Sequence, residues 1–530
     1  MSGSGNIIAY LALFGYPLVA VALFRRMPVA NALIWTILLG TLFLPQGFRI
    51  DIPLLPDPDK NTVPALAALV LVMIHGQKEA RRLARSSVRV AGSVRETATT
   101  AFGKLQGRRR HPVIVGLMVV FILSPLAIAF TNTDPIPAGP YFVPGMSLFD
   151  GLSQMQSAIL TLVPFFMARR YLGSPDKQIT LLRIFVALAL VYSILMLWEV
   201  RFSPQLHRLI YGYHQHSFAQ HIRNGYRPMV FMYHGLAVGL FCCMSILAAT
   251  ALWRISRDLL HASKMRTGRR MQAGATVPAA PQPAPKGRRG AGQARDPMRN
   301  PVRWAVTIVW LIFILMISRN LGATAIALML LPVILFTPTR VQLLVAAVLG
   351  MTIMAYPVLR SSGLAPTETV VGWAASIDAN RADSLEYRLR HEDMLMEKAS
   401  ERPLLGWGSW GRNRVRDETG QDISVTDGLW VSVLGISGWV GYLSYFGLLS
   451  LPIVMLARRG RSDIDPAAAA LSLMLAATLI DAIPNNNVTP ITWLIAGSLA
   501  GRVEMTAKSR GPVRRPAAAF GADPPRRAMA

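Results

Sequence analysis

Long apolar runs alternate with shorter polar stretches along nearly the whole chain. Most runs are about 20 residues long, which is the length of α-helix that crosses the hydrocarbon core of a bilayer. Inside lipid, each backbone polar group needs a partner within its own segment, so these runs must be helices. The pattern therefore predicts an all-α fold, a polytopic transmembrane helical bundle of about 12–13 spans. The predicted spans lie near 6–24, 27–45, 62–76, 112–131, 148–168, 179–198, 228–252, 303–318, 321–337, 341–358, 427–457, 466–483 and 490–503.

The composition agrees with helices that face lipid. Of 530 residues, 52% are hydrophobic and only 16% are charged, whereas soluble proteins contain about 25% charged residues. Cys242 and Cys243 are adjacent within an apolar run, so their spacing fits neither a disulfide framework nor a metal site.

The charge pattern predicts which connections lie on each side of the membrane. The net charge of +27 would suggest a nucleic-acid partner in a soluble protein. Here, however, the basic residues lie between apolar runs, as the positive-inside rule expects, and we expect no nucleic acid. With the basic stretches 77–111 and 253–302 in the cytoplasm, the large loop 359–426 becomes periplasmic. We expect a multi-pass protein of the bacterial inner membrane, with the phospholipid bilayer as one partner.

These boundaries divide the chain into alternating membrane and polar regions. The linker 253–302 and the tail 506–530 are basic and rich in Pro and Ala, a composition that predicts disorder. The regions are an N-terminal bundle 1–200, an Arg/His loop with span seven 201–252, the linker 253–302, transmembrane helices 303–358, the periplasmic loop 359–426, C-terminal transmembrane helices 427–505 and the tail 506–530.

Several arginines lie where a charge is costly, at membrane depth or next to it. Arg223 and Arg227 precede span seven, Arg319 occupies a short turn between two apolar runs, and Arg388 and Arg390 lie in the large loop. The planar guanidinium stays ionised and grips phosphate through two hydrogen bonds. We therefore expect a site for a lipid-linked phosphate or diphosphate that needs no metal ion. The alternative is that these arginines reach lipid headgroups or form ordinary ion pairs.

Other titratable residues are candidates for accessory roles. Asp427 and His391 belong to the large loop, and Asp481 ends a span, where an intramembrane carboxylate indicates either function or a structural ion pair. Within the loop, 382–400 has helical periodicity, which places Arg388 four residues before Glu392.

A histidine-rich stretch precedes span seven. No Cys or carboxylate nearby completes a ligand set, and we expect no metal and no cofactor. The stretch contains His207, His214, His216 and His221.

Four short segments, taken together, resemble a family of membrane proteins. The layout is similar to the membrane glycosyltransferases that include O-antigen ligases and Wzy-type polysaccharide polymerases, over about residues 200–500. The segments are SRNLGA at 318–323, RPLLGWG at 402–408, TDGLW at 426–430 and GISGWVG at 435–441, together with Arg227 followed by His234 and Gly235.

The resemblance implies an activity and roles for the candidate residues. The donor would be a glycan on undecaprenyl diphosphate, and the acceptor a second glycan. Arg319 and Arg227, together with Arg223, would bind the diphosphate, and Arg388 and Arg390 would contact phosphate or hold the loop helix.

On the acceptor side, Asp427 would orient or deprotonate the acceptor hydroxyl, a position where ligases typically carry His. His234, His391 and Asp481 would be accessory residues. A chain-length regulator and export proteins are further expected partners.

Three alternatives stay open. An O-antigen ligase would transfer the glycan to lipid A core instead of polymerising it. A flippase or transporter would move the lipid-linked glycan without forming a bond, although the sequence lacks the matching halves of many transporters. A scaffold of an export complex would need no charged turn at Arg319.

Overall fold

The computed structural model describes residues 5–48, 57–90, 110–222, 225–273, 300–377, 379–459 and 465–507. These residues are 75% helical, and the one sheet among them is a two-stranded hairpin. In chain order the elements are α1 Ile7–Arg26, α2 Val29–Phe43, α3 Thr62–Val90, α4 Pro112–Thr131, β1 Ile136–Ala138, β2 Tyr141–Val143, α5 Leu148–Tyr171, α6 Pro175–Phe202, α7 Leu206–Tyr211, α8 Phe218–Ile222, α9 Gly235–Ala273, α10 Pro301–Ile317, α11 Leu321–Phe336, α12 Thr339–Ser361, α13 Thr367–Ile377, α14 Ala379–Ser400, α15 Leu429–Ala457, α16 Pro466–Asp481 and α17 Pro490–Ala507.

The predicted fold class is confirmed. Among the described residues, seven helices are long and apolar enough to cross a membrane (α1, α4, α5, α6, α9, α12 and α15), and five shorter apolar segments accompany them. Each predicted span coincides with one helix, α17 included. The protein is therefore a multi-pass, all-α membrane protein, with α13 and α14 in the large loop.

Polar side chains begin several of these helices. Ser147 and Asp150 form a reciprocal capping box at the start of α5, and the Asn320 side chain accepts from N of Ala323 at the start of α11. Such caps satisfy backbone N–H groups that have no partner within the helix. They define where the chain turns from one helix into the next.

Both boundaries of α9 and the end of α3 differ from the predicted ones. The third span was expected at 62–76, but α3 continues to Val90, into the basic stretch 77–111. The seventh span was expected at 228–252, but α9 begins at Gly235 and continues to Ala273, into the predicted linker. Residues 228–234 are apolar yet not helical, because Val230 adopts φ +51° and Glu199 accepts hydrogen bonds from N of Met229 and of Val230. Residues 274–299 of the linker and 508–530 of the tail lie outside the described residues.

The connections between helices gather at two ends of the bundle. At one end, the Asn132 side chain donates to the carbonyl oxygen of Gly406 (3.1 Å). At the other, N of His111 donates to Glu504 (2.9 Å). We call the first the large-loop end, because it carries 362–428. All of the candidate residues that the structure describes lie there.

Candidate functional site

A turn within the large loop is hydrogen-bonded to the backbone of α15. Four backbone hydrogen bonds of 2.8–3.1 Å join the turn 403–408 to 435–440. Gly438 adopts φ +57° and kinks α15, while Gly406 adopts φ +70°. A Cβ on either glycine would meet the backbone of the opposite segment, so both positions need glycine. Two of the four motif segments thus form one interlocked unit.

Just before α15 begins, Asp427 lies against the loop helix α14. Asp427 Oδ2 lies 3.0 Å from Nε of Arg388, and the two side chains remain 40% and 32% exposed. Nη1 of Arg388 also donates to the carbonyl oxygen of Pro484 and to Oδ1 of Asn485, both at 3.4 Å. Arg388 therefore joins the loop helix, the start of α15 and the turn after α16. Glu392 lies four residues after Arg388 on the same helix, but the ion pair of Arg388 is with Asp427.

Asp481 organises that last turn. Its two carboxylate oxygens accept hydrogen bonds from the side chains of Asn485 (2.9 Å) and Asn487 (2.7 Å). It is 4% exposed. Asp481 therefore supports the segment that Arg388 contacts.

Arg227 and Arg319 meet at the same end of the bundle. Nη2 of Arg227 donates to the carbonyl oxygen of Arg319 at 3.2 Å. The side chain of Arg227 lies over Gly235, and the guanidinium of Arg319 lies against Gly225, where a Cβ at either glycine would collide with it. Two close-packed glycines thus make room for two arginine side chains.

The turn that carries Arg319 is strained and held in place. Arg319 adopts φ +56°, a left-handed conformation that is uncommon for a residue with a side chain. The adjacent Asn320 donates from Nδ2 to the carbonyl oxygens of Gly235 (3.3 Å) and Leu236 (3.1 Å). Arg319 is exposed, and within the described ranges no carboxylate forms an ion pair with it.

His234 lies close to two of these arginines. Burial lowers the pKa of His234 to about 3, and nearby His221 and His216 lower it further, as do the positive charges of Arg227 and Arg388. The imidazole is therefore neutral at physiological pH. We call Arg227, Arg319 and Arg388 the site arginines. The charges of Arg227 and Arg388 lower the pKa of His234, and Arg227 donates a hydrogen bond to the backbone of Arg319.

Two other candidates lie on the loop helix α14, and a third is not described. Arg390 is largely exposed and lies 3.6 Å from Glu386 on the loop helix. His391 is buried against the ring of Tyr387, with ring centroids 4.2 Å apart. Arg223 lies outside the described residues.

Glu392 is a site residue that the sequence pattern did not single out. One carboxylate oxygen accepts from Nε1 of Trp430 (3.2 Å), and the other is buried without a hydrogen-bond partner among the described atoms. Burial raises the pKa of Glu392 to about 7. In the sequence, only its position one helical turn after Arg388 pointed to Glu392. Its burial depends on the packing of α15 onto α14.

A second arginine group occupies another part of the large-loop end. Arg412 is 1% exposed and donates to the carbonyl oxygens of Trp407 (3.1 Å), Pro144 (2.7 Å) and Asp134 (2.9 Å). Arg402 forms an ion pair of 2.7 Å with Asp134. We call Arg402 and Arg412 the hairpin arginines, because they fasten the large loop to the β1–β2 hairpin segment.

A cavity of about 620 Å³ opens beside the interlocked unit. It lies between α4, α5, α15 and α17, and none of the described arginines lines it. Its wall combines aromatic rings with amide and hydroxyl groups and with the carboxylates of Asp57 and Asp59, a lining that suits a polar ligand without negative charge. The lining residues include Gln154, Gln156, Ser157, Ser437, Tyr445 and Trp493.

Three histidines also converge near the site arginines. His216, His221 and His234 place one ring nitrogen each within 4.8 Å of the others. The sequence pattern grouped the first two with His207 and His214 and treated His234 separately. The structure supplies His234 as the third member.

No known protein family matches this chain, and no curated protein matches it in sequence. The chemistry of the site therefore rests on its own residues. Three accessible guanidinium groups lie at one end of the bundle, with a neutral imidazole close to two of them. Two acidic side chains, those of Asp427 and Glu392, lie near Arg388.

Proposed function

We propose that this protein is a membrane glycosyltransferase that polymerises undecaprenyl-diphosphate-linked oligosaccharide repeats into O-antigen or exopolysaccharide. In this proposal the large-loop end is the periplasmic face of the bacterial inner membrane. The observation that carries the proposal is the contact of Arg227 with Arg319 beside the start of α9, with Arg388 at the same end of the bundle. Guanidinium groups that reach solvent are suited to a ligand with more than one phosphate.

The proposed reaction exchanges one C–O bond for another. The acceptor hydroxyl oxygen bonds to the anomeric carbon of the donor glycan, and the bond from that carbon to the diphosphate oxygen breaks. The hydroxyl proton leaves to a base, and the electron pair leaves with undecaprenyl diphosphate. Arg227 and Arg319 would stabilise the negative charge that grows on this leaving group.

Asp427 is the proposed base or orienting group for the acceptor. Its side chain is accessible, and its ion pair with Arg388 holds it beside the phosphate-binding groups. A positioned carboxylate contributes to such a reaction by removing the proton as the new bond forms. The cavity between α4, α5, α15 and α17 would hold the acceptor glycan through its amide and hydroxyl groups, with both substrates aligned against α15.

The motif resemblance supports the same proposal. Among the four motif segments, 402–408 and 435–441 are directly hydrogen-bonded. The segment 318–323 packs through Asn320 onto the start of α9, close to Arg227. Segments that are distant in the chain but share one end of the fold are expected of a common site.

The decisive experiment is turnover by the purified protein in lipid nanodiscs. The substrate is undecaprenyl-diphosphate-linked oligosaccharide, and the product is resolved by size. We expect wild-type protein to form polymer and Arg319→Ala to form almost none. Arg340→Ala is the matched control, because Arg340 begins α12 at the opposite end of the bundle, and it should retain wild-type turnover.

Other results would select the alternatives. Movement of the lipid between leaflets without new glycosidic bonds would identify a flippase. In a deletion strain, long chains retained on the carrier lipid would identify a ligase, whereas single-repeat products would support a polymerase. Normal polymer from Arg319→Ala would remove the proposed role of the site arginines.

The proposed orientation has its own test. Thr419 lies in an exposed part of the large loop, and the two native cysteines are buried. Thr419→Cys should react with a membrane-impermeant maleimide from the periplasm of intact cells whose outer membrane has been permeabilised. Reaction only after lysis of the inner membrane would place the loop in the cytoplasm and contradict the proposal.

A further inference from the structure

We propose that His216, His221 and His234 form a binding site for a divalent transition-metal ion, with Zn²⁺ as the expected occupant. This inference concerns the segment between α6 and α9 and does not depend on the proposed glycosyl transfer. It departs from the sequence-based expectation of no metal, which overlooked His234 as a ligand.

The geometry of the three rings is close to that of a metal site. The ring centroids are 5.2 Å apart for His216 and His221, 4.7 Å for His216 and His234, and 4.5 Å for His221 and His234. One nitrogen from each ring lies within 4.8 Å of the others. Tetrahedral Zn²⁺ with Zn–N bonds of about 2.0–2.1 Å needs nitrogens about 3.4 Å apart, so small side-chain rotations would close the site.

Two of the rings present nitrogens suited to coordination. Nδ1 of His221 lies 3.0 Å from the carbonyl oxygen of Ser217, the kind of contact that orients a metal-binding imidazole and directs Nε2 towards the ion. Nδ1 of His216 is buried and has no hydrogen-bond partner among the described atoms. A buried nitrogen without a partner is costly, and a metal ion would satisfy it.

Two existing hydrogen bonds compete with the ion. Nδ1 of His234 accepts from N of Leu236 at 3.0 Å, and Nε2 of His221 accepts from N of Gly235 at 3.4 Å. The second is long for a hydrogen bond and is therefore weak. His234 can keep the first if it coordinates through Nε2, and His221 exchanges a weak contact for a coordination bond.

The surrounding backbone is already organised. Nε2 of Gln215 donates to the carbonyl oxygens of Val230 (3.1 Å) and Met232 (3.3 Å), which ties the residue before His216 to the segment before His234. The ligands therefore need little ordering when the ion binds. Imidazole nitrogens without a thiolate suit Zn²⁺ and its neighbours in the first transition row.

Two positive charges act against a cation here, those of Arg227 and Arg388. Both side chains reach solvent, which screens their repulsion, whereas coordination bonds act directly on the ion. Three protein ligands leave a fourth position for water or for an anionic oxygen, and the arginines favour the anion. The ion would join α8 to the start of α9. These two elements precede and follow Arg227 in the chain, so the ion would also hold the segment that carries Arg227.

The test measures metal and not turnover. The full-length protein, carrying an affinity tag without histidines, is purified in detergent after growth with added Zn²⁺, and its metal content is determined by mass spectrometry. We expect about one Zn²⁺ per chain, in keeping with a three-histidine site. Exchange for Co²⁺ should give the intense visible absorption of a four-coordinate ion.

The variants assign the site to these residues. His216→Ala and His234→Ala should each lose most of the bound metal, and Zn²⁺ should no longer raise their thermal midpoint. His214→Ala is the matched control, because His214 lies in the same segment, packs on Phe218 and is outside the cluster. Wild-type protein without bound metal, or metal retained in a variant that elutes like the wild type, would overturn the proposal. Since these readouts ignore catalysis, an inactive but zinc-loaded protein would refute only the proposed function.

Discussion

Two groups of arginines lie at the same end of this protein, and they differ in what satisfies them. The hairpin arginines direct their donors at carbonyl and carboxylate oxygens, and Arg412 is almost fully buried. The site arginines remain accessible, and of these Arg319 has no ion-pair partner within the described residues. An arginine whose donors are all engaged holds the fold together, whereas one with open donors can bind an anion.

The opposite end of the bundle offers a third case. Arg169 forms a buried ion pair with Glu504, whose carboxylate also accepts from N of His111. In the sequence, Arg169 lies between two apolar runs, where the positive-inside rule expects a basic residue. Burial and a carboxylate partner again mark an arginine that has a structural role.

The largest effect should come from Arg412→Ala. Three carbonyl oxygens would lose their donor, that of Trp407 in a buried bond and those of Pro144 and Asp134 in part-buried ones. An unsatisfied buried group costs about 1–3 kcal/mol and a part-buried one less, so we expect a loss of about 2–5 kcal/mol in the free energy of unfolding. Thermal unfolding in detergent measures it. Arg414→Ala is the control, because Arg414 ion-pairs with Asp422 at the surface (3.5 Å), and it should cost less than about 1 kcal/mol. Equal thermal midpoints for both variants would show that Arg412 does not stabilise the fold, and would contradict the structural role given to the hairpin arginines.

Arg319→Ala should have the second-largest effect, and it should lower activity without lowering stability. Loss of one charge-stabilising donor typically lowers turnover by about 10²- to 10³-fold. Because Arg319 is exposed and its backbone is strained, the thermal midpoint should stay unchanged. Arg319→Lys keeps the charge but not the planar fork, so we expect intermediate turnover. A variant that loses stability in proportion to activity would move Arg319 into the structural group.

Glu392→Gln should change how stability depends on pH. Burial raises the pKa of Glu392 to about 7 from 4.5, so the folded protein binds a proton that the unfolded chain has released. Stability should therefore fall as the pH rises from about 4.5 to about 7, by at most about 3 kcal/mol. The substitution removes the ionisable group and should flatten this slope in thermal unfolding. An unchanged slope would show that Glu392 does not titrate in this range.

The smallest effects should separate two neighbours on α14. Arg388→Ala removes the ion pair with Asp427 and a phosphate-facing charge, and we expect about a tenfold loss of turnover. Arg390→Ala removes a solvent-exposed ion pair with Glu386, which contributes about 0.3–0.5 kcal/mol at most, so turnover should fall less than about twofold. If both variants lost turnover equally, Arg390 would also bind phosphate, as the sequence pattern predicted.

Much of the architecture was predictable because its causes are local. The loop helix predicted at 382–400 is α14 at Ala379–Ser400, and its apolar positions recur at helical spacing. The start of α9 was not predictable in the same way. Residues 228–234 are as apolar as a span, but their backbone is held by a carboxylate from another helix, that of Glu199.

The candidate site was predictable in part, for a related reason. Residue type and side of the membrane singled out Arg227, Arg319, Arg388 and Asp427. The third histidine of the cluster lies thirteen residues after His221, too far for a motif to join the two. Their proximity depends on how the segment before α9 folds back onto the start of that helix.

The sequence by itself determined the helical bundle and the alternation of its connections between two ends. A helix in lipid satisfies its backbone within its own segment, so composition and length are sufficient to predict it. Only the tertiary structure decided which arginines are buried among acceptors and which stay accessible. The donors of Arg412 reach carbonyl oxygens 268 and 278 positions away in the chain, and no local pattern records such partners.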